Sequence, residues 1–162
     1  GKADVVWHNL NSGELYYWVM NGTAIAGGQG LAYLPLGSAA LALGDFNGDG
    51  RSDLVSTTAD YVRISIAQAN GAFAAPAVVA ARPAAGWRFV DSVEKDRVPP
   101  KSDINGDGRA DAAWMAPGNG ALLSWLMNGT AVSAQAGTSI AADASPIAIA
   151  DFDGDGRADL LS

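Results

Sequence analysis

Apolar residues in this chain come in short β-type runs rather than in the longer amphipathic pattern of a helix. Small apolar runs, "AALALG" at 39–44 and "SPIAIA" at 145–150, each precede a break rich in Asp and Gly. A second run follows each break: "SDLVS", "ADAAW" and, near the start of the chain, "ADVVW". A third carries Trp18 or Trp125, and a fourth follows an Asn-Gly pair. A unit therefore predicts four short strands. The third strand is apolar on both faces, with Leu15 and Val19 on one and Tyr16, Trp18 and Met20 on the other. An antiparallel sheet with one wet face would alternate apolar and polar positions. Two apolar faces predict a sheet packed between two others, with Trp18 and Trp125 as core.

The units repeat. "GKADVVW" at the start matches "GRSDLVS", "GRADAAW" and "GRADLLS", so Gly1, Gly50, Gly108 and Gly156 are equivalent, at spacings of 49, 58 and 48. Further on, "SGELYYWVMNGTAIA" aligns with "NGALLSWLMNGTAVS". A period near 50 and sheets packed on both faces point to radially arranged blades. The predicted fold class is all-β: β-propeller blades of four antiparallel strands, about three blades, in a ring that this one chain leaves incomplete, since closed rings have about four to eight. The single propeller segment divides into a partial blade at 1–37, blades at 38–86 and 87–140, and a partial blade at 141–162. It is either part of a longer chain or one of several copies that complete a ring together. The Ala/Gly-rich first strand suits the crowded position nearest the axis.

Asn21-Gly22 and Asn128-Gly129 read as two-residue hairpin turns. Asn-Gly-Thr also fits a glycosylation acceptor, but the turn reading needs no particular host. The middle unit departs from its neighbours. Its third strand, "YVRISIAQ", alternates and exposes Arg63, and its hairpin uses Asn70-Gly71. "EKDRVPPKS" at 94–102 is an insertion between the strand "GWRFVDSV" and Asp103. It is either a solvated loop or a binding feature.

The breaks themselves are near copies: "DFNGDGRSDL" at 45–54, "DINGDGRADA" at 103–112 and "DFDGDGRADL" at 151–160. Counting from the first Asp, oxygen-bearing side chains stand at positions 1, 3, 5 and 9. They are Asp45, Asn47, Asp49 and Asp53; Asp103, Asn105, Asp107 and Asp111; Asp151, Asp153, Asp155 and Asp159. Position 6 is Gly, which permits a sharp turn, and position 7 is Arg51, Arg109 or Arg157, whose backbone carbonyl is the natural next ligand. Such charges repel unless a cation sits among them, and a hard divalent ion with oxygen ligands does that. Calcium fits better than zinc, because the chain has no Cys and one His. An EF-hand would need a bidentate Glu at position 12 between helices; here that position holds Ser56, Trp114 or Ser162. The competing reading is a set of Asx-rich turns without metal, and the repetition of one spacing favours three calcium sites. The third loop has Asp153 where the others have Asn, and is predicted to bind most tightly. Phe46, Ile104 and Phe152 at position 2 are predicted to anchor the loops inward.

The net charge of −7 then has a local origin: eleven of the 17 acids lie in the motifs, ten in the full loops plus Asp4. Three calcium ions would bring the chain near −1. Nothing offers the basic patch that nucleic acid requires. Apolar residues make up 49%, as in a globular chain. No apolar run reaches membrane-spanning length; the Ala-rich stretch at 72–86 is broken by Pro76, Arg82 and Pro83. Catalysis is not predicted. His8 is the only histidine, no serine sits in a nucleophile elbow, and the remaining acids, Glu14, Asp60, Asp91, Glu94, Asp96 and Asp143, are scattered. A catalytic domain elsewhere in a parent chain stays open. Trp7, Trp87 and Trp114 are candidates to stack on a sugar face, with packing between blades as the alternative.

The phrase D-x-[DN]-G-D-G-[KR]-x-D, followed by an apolar strand and by "WVMNGT" or "WLMNGT", resembles the FG-GAP/VCBS-type repeats of bacterial secreted β-propellers. The same calcium loop occurs in the integrin α-subunit propeller, though the Phe-Gly…Gly-Ala-Pro signature is absent here. The resemblance covers essentially the whole chain. It implies four-stranded blades with calcium between the first and second strands, and roles in adhesion, ligand binding or as accessory domains of secreted enzymes. The expected function is a calcium-stabilised extracellular binding or adhesion module without catalysis; the alternative is a carbohydrate-binding, lectin-like accessory module of a secreted enzyme. The expected location is secreted or cell-surface, in a bacterium. Expected partners are an extracellular protein or glycan, or further copies completing a ring, with no nucleic acid and no membrane span.

Overall fold

Strands form where the apolar runs lie, and glycine turns separate them. The computed structural model describes residues 4–90, 102–144, 146 and 148–162. The first sheet holds β1 (Val5–His8), β2 (Glu14–Asn21) and β3 (Ala24–Tyr33). The second holds β4 (Ala39–Gly44), β5 (Asp53–Thr57), β6 (Tyr61–Ser65) and β7 (Ala77–Ala81). The third holds β8 (Arg88–Val90), β9 (Ala112–Ala116), β10 (Ala121–Asn128) and β11 (Ala131–Ser139). The last described pair is β12 (Ala148–Ala150) and β13 (Asp159–Leu161). Neighbours in sequence are neighbours in each sheet, and every pairing is antiparallel. Among the described residues there is no helix and no closed barrel. This is an all-β architecture of meandering sheets, compatible with the blades of an incomplete propeller. Gly1, residues 91–93 of "GWRFVDSV" and all of the 94–102 insertion except Ser102 lie outside the described residues.

Successive side chains on a strand point to opposite faces, and the middle strands use both. All five residues of β5 are buried. Leu54 packs with Leu15 and Leu34 of the first sheet's side. Val55 packs the other way, with Phe46, Val62 and Ile64 against Trp114, Trp125 and Met127 of the third sheet. Trp114 is the centre of that second core: Phe89 meets it edge-on at 5.2 Å and Trp125 is tilted at 5.3 Å. Such ring pairs add about 0.5–1.5 kcal/mol beyond the area they bury. On the far face of the third sheet, Leu122 lines an apolar cavity of about 150 Å³ together with Ile149 and Leu160.

The first sheet does not follow this rule. The faces of β2 are covered unevenly: Leu15 is fully buried, whereas Val19 on its own face and Tyr16 on the other are exposed. Trp18 is only half-buried, and its ring neighbour among the described residues is Trp7, at 4.8 Å. The expectation of two covered faces on the third strand, with its Trp as core, thus holds for β10, where Trp125 and Leu122 are both buried, and fails for β2, where among the described residues nothing buries the Trp18 face. For the same reason Ala39 and Ala40 of β4 are exposed rather than crowded. Arg63 is half-buried, not exposed, with its guanidinium carbon 6.0 Å from the Tyr61 ring centre.

The hairpins differ by one residue from the expectation. Asn21 pairs with Ala24 and Asn128 with Ala131, so the two-residue loops are Gly22-Thr23 and Gly129-Thr130. Gly22 and Gly129 carry φ of 63° and 62°, and among the described residues no non-glycine residue has positive φ. That places glycine at the first central position, the arrangement of a type II′ turn. Asn70-Gly71 belongs to a longer loop, closed by the Ala67–Phe73 bridge, with Gly71 at φ 82°.

Candidate metal centre

The Asp-rich loops lie between the first and second strands of successive sheets: 45–52 between β4 and β5, 102–111 between β8 and β9, and 151–158 between β12 and β13. Each turns twice at glycine. Positions 4 and 6 have positive φ in all three: 76° and 83° at Gly48 and Gly50, 79° and 85° at Gly106 and Gly108, 83° and 87° at Gly154 and Gly156. Position 4 is Gly in all three copies as well, the same sequence signal as at position 6.

Position 1 organises its own loop. Asp45 Oδ1 accepts the N–H groups of Gly48 (2.8 Å) and Asp49 (3.0 Å), and its Oδ2 accepts that of Gly50 (2.7 Å). Asp103 repeats the pattern with Gly106, Asp107 and Gly108, and Asp151 with Gly154 and Gly156. Position 3 accepts the position-5 N–H at 3.0 Å in every loop. Position 5 accepts the N–H of the Arg at position 7. In the first two loops the Asn amide also donates to the position-5 carboxylate, at 2.7 Å from Asn47 and 3.2 Å from Asn105. The position-5 carboxylate is further paired with the arginine of its loop, Asp49 with Arg51 and Asp107 with Arg109.

Position 9 plays a different part. Asp53 and Asp111 are fully buried, at 0% and 2% exposure. Oδ2 of each accepts the position-2 N–H, from Phe46 at 3.0 Å and Ile104 at 2.9 Å. Oδ1 accepts an N–H at or just past the end of the third strand, from Ala67 and Met127, both at 2.8 Å. Asp4 takes the Met20 N–H in the same way. The aspartate thus staples loop, second strand and third strand together. Burial pushes both carboxyls up from the ordinary 3.8 to about 6, against the pull of those backbone donors.

The donor set suits a hard cation: side-chain oxygens, with no sulfur and no imidazole. Carboxylate oxygens of Asp151, Asp153 and Asp159 all lie within 4.8 Å of one another. Asp159 is half-buried, and the described partner of its carboxylate is the Phe152 N–H at 3.0 Å. The other two loops carry Asn at position 3 and bring two fewer charges together in total than two copies of the third loop would.

Position 2 anchors where a following sheet exists. Phe46 is buried at 1% exposure, and its carbonyl accepts the Gly129 N–H of the next sheet's turn. Ile104 lines the cavity beside β12. Phe152 is 54% exposed, which corrects the expectation for that loop. Of the candidate ligand-stacking aromatics, Trp114 is 1% exposed and has no free face, so the packing alternative applies to it. Trp87 is half-buried against the second core. Trp7 is 50% exposed and shares its sheet face with Val5, Tyr16 and Trp18. His8 closes β1, half-buried.

The FG-GAP-like repeat family matches residues 1–56 and 103–162. The unmatched part includes β6 and β7, which complete the second sheet with a different sequence, "YVRIS" and "AVVAA". No curated protein and no solved structure matches the chain.

Proposed function

Since the chain belongs to the FG-GAP-like repeat family, we propose that it is a calcium-stabilised, non-catalytic binding or adhesion module that works outside a bacterial cell. Repeats of this type commonly bind calcium, occur in extracellular proteins, mediate protein interactions and are generally not catalytic. No helix among the described residues is long and apolar enough to cross a membrane. The observation that carries the reading is one loop design written three times, with three carboxylates converging in the last copy. The ligands would be the side chains at positions 1, 3, 5 and 9 and the carbonyl of the Arg at position 7. Bound calcium would neutralise the clustered carboxylates and fix the link between first and second strands. The blades would run over 38–86 and 87–140, with partial blades at 1–37 and 141–162. An extracellular protein, or further copies completing a ring, would be the partner.

Calorimetric titration of the chelator-stripped protein tests this. Three binding events are expected, the tightest belonging to the Asp151 loop. Ligand charge tunes such sites, so Asp153→Asn should weaken that event about tenfold and bring it level with the others. Absence of calcium binding would overturn the proposal.

A second reading, carbohydrate binding, is favoured by one observation: the exposed aromatic face of Trp7 and Tyr16. Glycan-array binding that is lost in Trp7→Ala, with the melting temperature unchanged, is its expected result. An array without a hit removes it.

A further inference from the structure

The three Asp-rich loops touch in series, and one peptide group makes each connection. The carbonyl of Asp45 accepts the N–H of Ala110 at 2.6 Å, and the carbonyl of Asp103 accepts that of Ala158, also at 2.6 Å. Each bond runs from position 8 of one loop to position 1 of the loop before it. The N–H of that same position-1 peptide unit, on Phe46 or Ile104, is the one held by the position-9 carboxylate of its own loop. A continuous path results: Asp53 carboxylate, the 45–46 peptide, the Ala110 N–H, Asp111, the 103–104 peptide, the Ala158 N–H, Asp159. A carboxylate hydrogen-bonded to one end of a peptide group polarises the bond at its other end.

The arginines add a second connection. A methyl group placed on Gly48 would meet Arg109 Cγ at 3.3 Å, and one on Gly106 would meet Arg157 Cγ and Nε at 3.3 Å. The position-7 side chain of each later loop therefore lies across position 4 of the earlier one, leaving little room for a side chain there.

From this we infer that the loops bind calcium cooperatively. The inference rests on the calcium reading above. Filling one loop fixes its position-1 and position-9 aspartates, and with them the peptide that holds the next loop. The second ion then meets a partly ordered site and has less ordering to impose. Coupling is reciprocal, so each loop acts on its neighbours in both directions. Among the described residues the first and third loops share no contact of this kind, so they communicate through the second.

The amide signals of Gly48, Gly106 and Gly154, one per loop, report each site separately in an NMR calcium titration. The variant is Asp49→Ala, which disables the first loop at an exposed residue outside the path. Titrations run in 1 M KCl, where the screening length is about 3 Å, so the lost charge itself is not what is read. In the wild type the three midpoints should coincide more closely than independent sites would, with steepened curves. In Asp49→Ala the Gly106 midpoint should move to higher calcium by about fivefold or more, and the Gly154 midpoint by less. Responses at all three glycines with the Gly106 and Gly154 midpoints unmoved by the variant would overturn the coupling alone. No response at any glycine in the wild type would overturn the calcium reading beneath it.

Discussion

Removing calcium should lower the thermal midpoint of this protein by about 15–30 °C. At free calcium one hundred times the dissociation constant, each site contributes about 2.7 kcal/mol to the folded state, and three contribute about 8. In a chain of this size 1 kcal/mol moves the midpoint by about 2–4 °C. The sites sit where they can act on the whole fold, since each loop joins the first two strands of a sheet and also touches the loop next to it. Circular-dichroism melts in chelator and in saturating calcium at fixed pH measure the difference. A gap below about 3 °C, less than the 5–10 °C that one such site supplies, would mean that calcium does not hold the fold together.

The pH dependence of the two states should run in opposite directions. Without metal, Asp53 and Asp111 have folded pKa values of about 6, raised first by burial. A raised folded value means that the protonated form favours folding. Their contribution is fully present below the unfolded value of 3.8 and is lost as pH rises through about 6. These two groups therefore make the metal-free protein more stable at pH 5 than at pH 7.5. With calcium the carboxylates must be ionised to bind, so the gain from calcium should shrink as pH falls below about 6. Melts at both pH values, with and without chelator, give all four numbers. A calcium gain that does not shrink at pH 5 would count against Asp53 and Asp111 as ligands.

Asp111→Ala should cost about 2–3 kcal/mol even in chelator. The substitution leaves the Ile104 and Met127 N–H groups without their acceptor in the interior, and each orphaned donor costs about 1–3 kcal/mol. Relief of a buried charge offsets part of that loss. Asp107→Ala is the control. Asp107 is exposed, and its partners are within its own loop. It should leave the chelator-treated protein within about 0.5 kcal/mol of wild type and lower only the calcium-dependent gain. Urea unfolding of both variants decides. Equal, small losses in chelator would show that the Asp111 carboxylate is not a structural staple.

Much of the architecture was legible in residue order alone. The Asp-Gly spacing located all three loops, and the runs around them located the strands, because a turn that needs glycine at positive φ and a strand that needs apolar side chains are both local demands. The expected hairpins slipped by one residue because Asn-Gly serves two turn types, and only the pairing of Asn21 with Ala24 shows which is used. Burial was legible only in part: Trp125 and Phe46 are core as expected, whereas Trp18 and Phe152 are not. Trp7 and Trp114 occupy the same place in the repeat, yet one is half exposed and the other sealed, since burial depends on whether another sheet lies opposite. Phe46 and Phe152 differ for the same reason. The chain of hydrogen bonds from loop to loop was hidden as well. It joins Asp45 to Ala110 and Asp103 to Ala158 through backbone atoms, which every residue carries, so no side-chain pattern announces it. The sequence by itself determined which residues form each loop and strand, through local conformational preference. The tertiary stacking of sheets decided which aromatics are core, which aspartates are buried and how one loop is tied to the next, because those depend on what lies across an interface rather than along the chain.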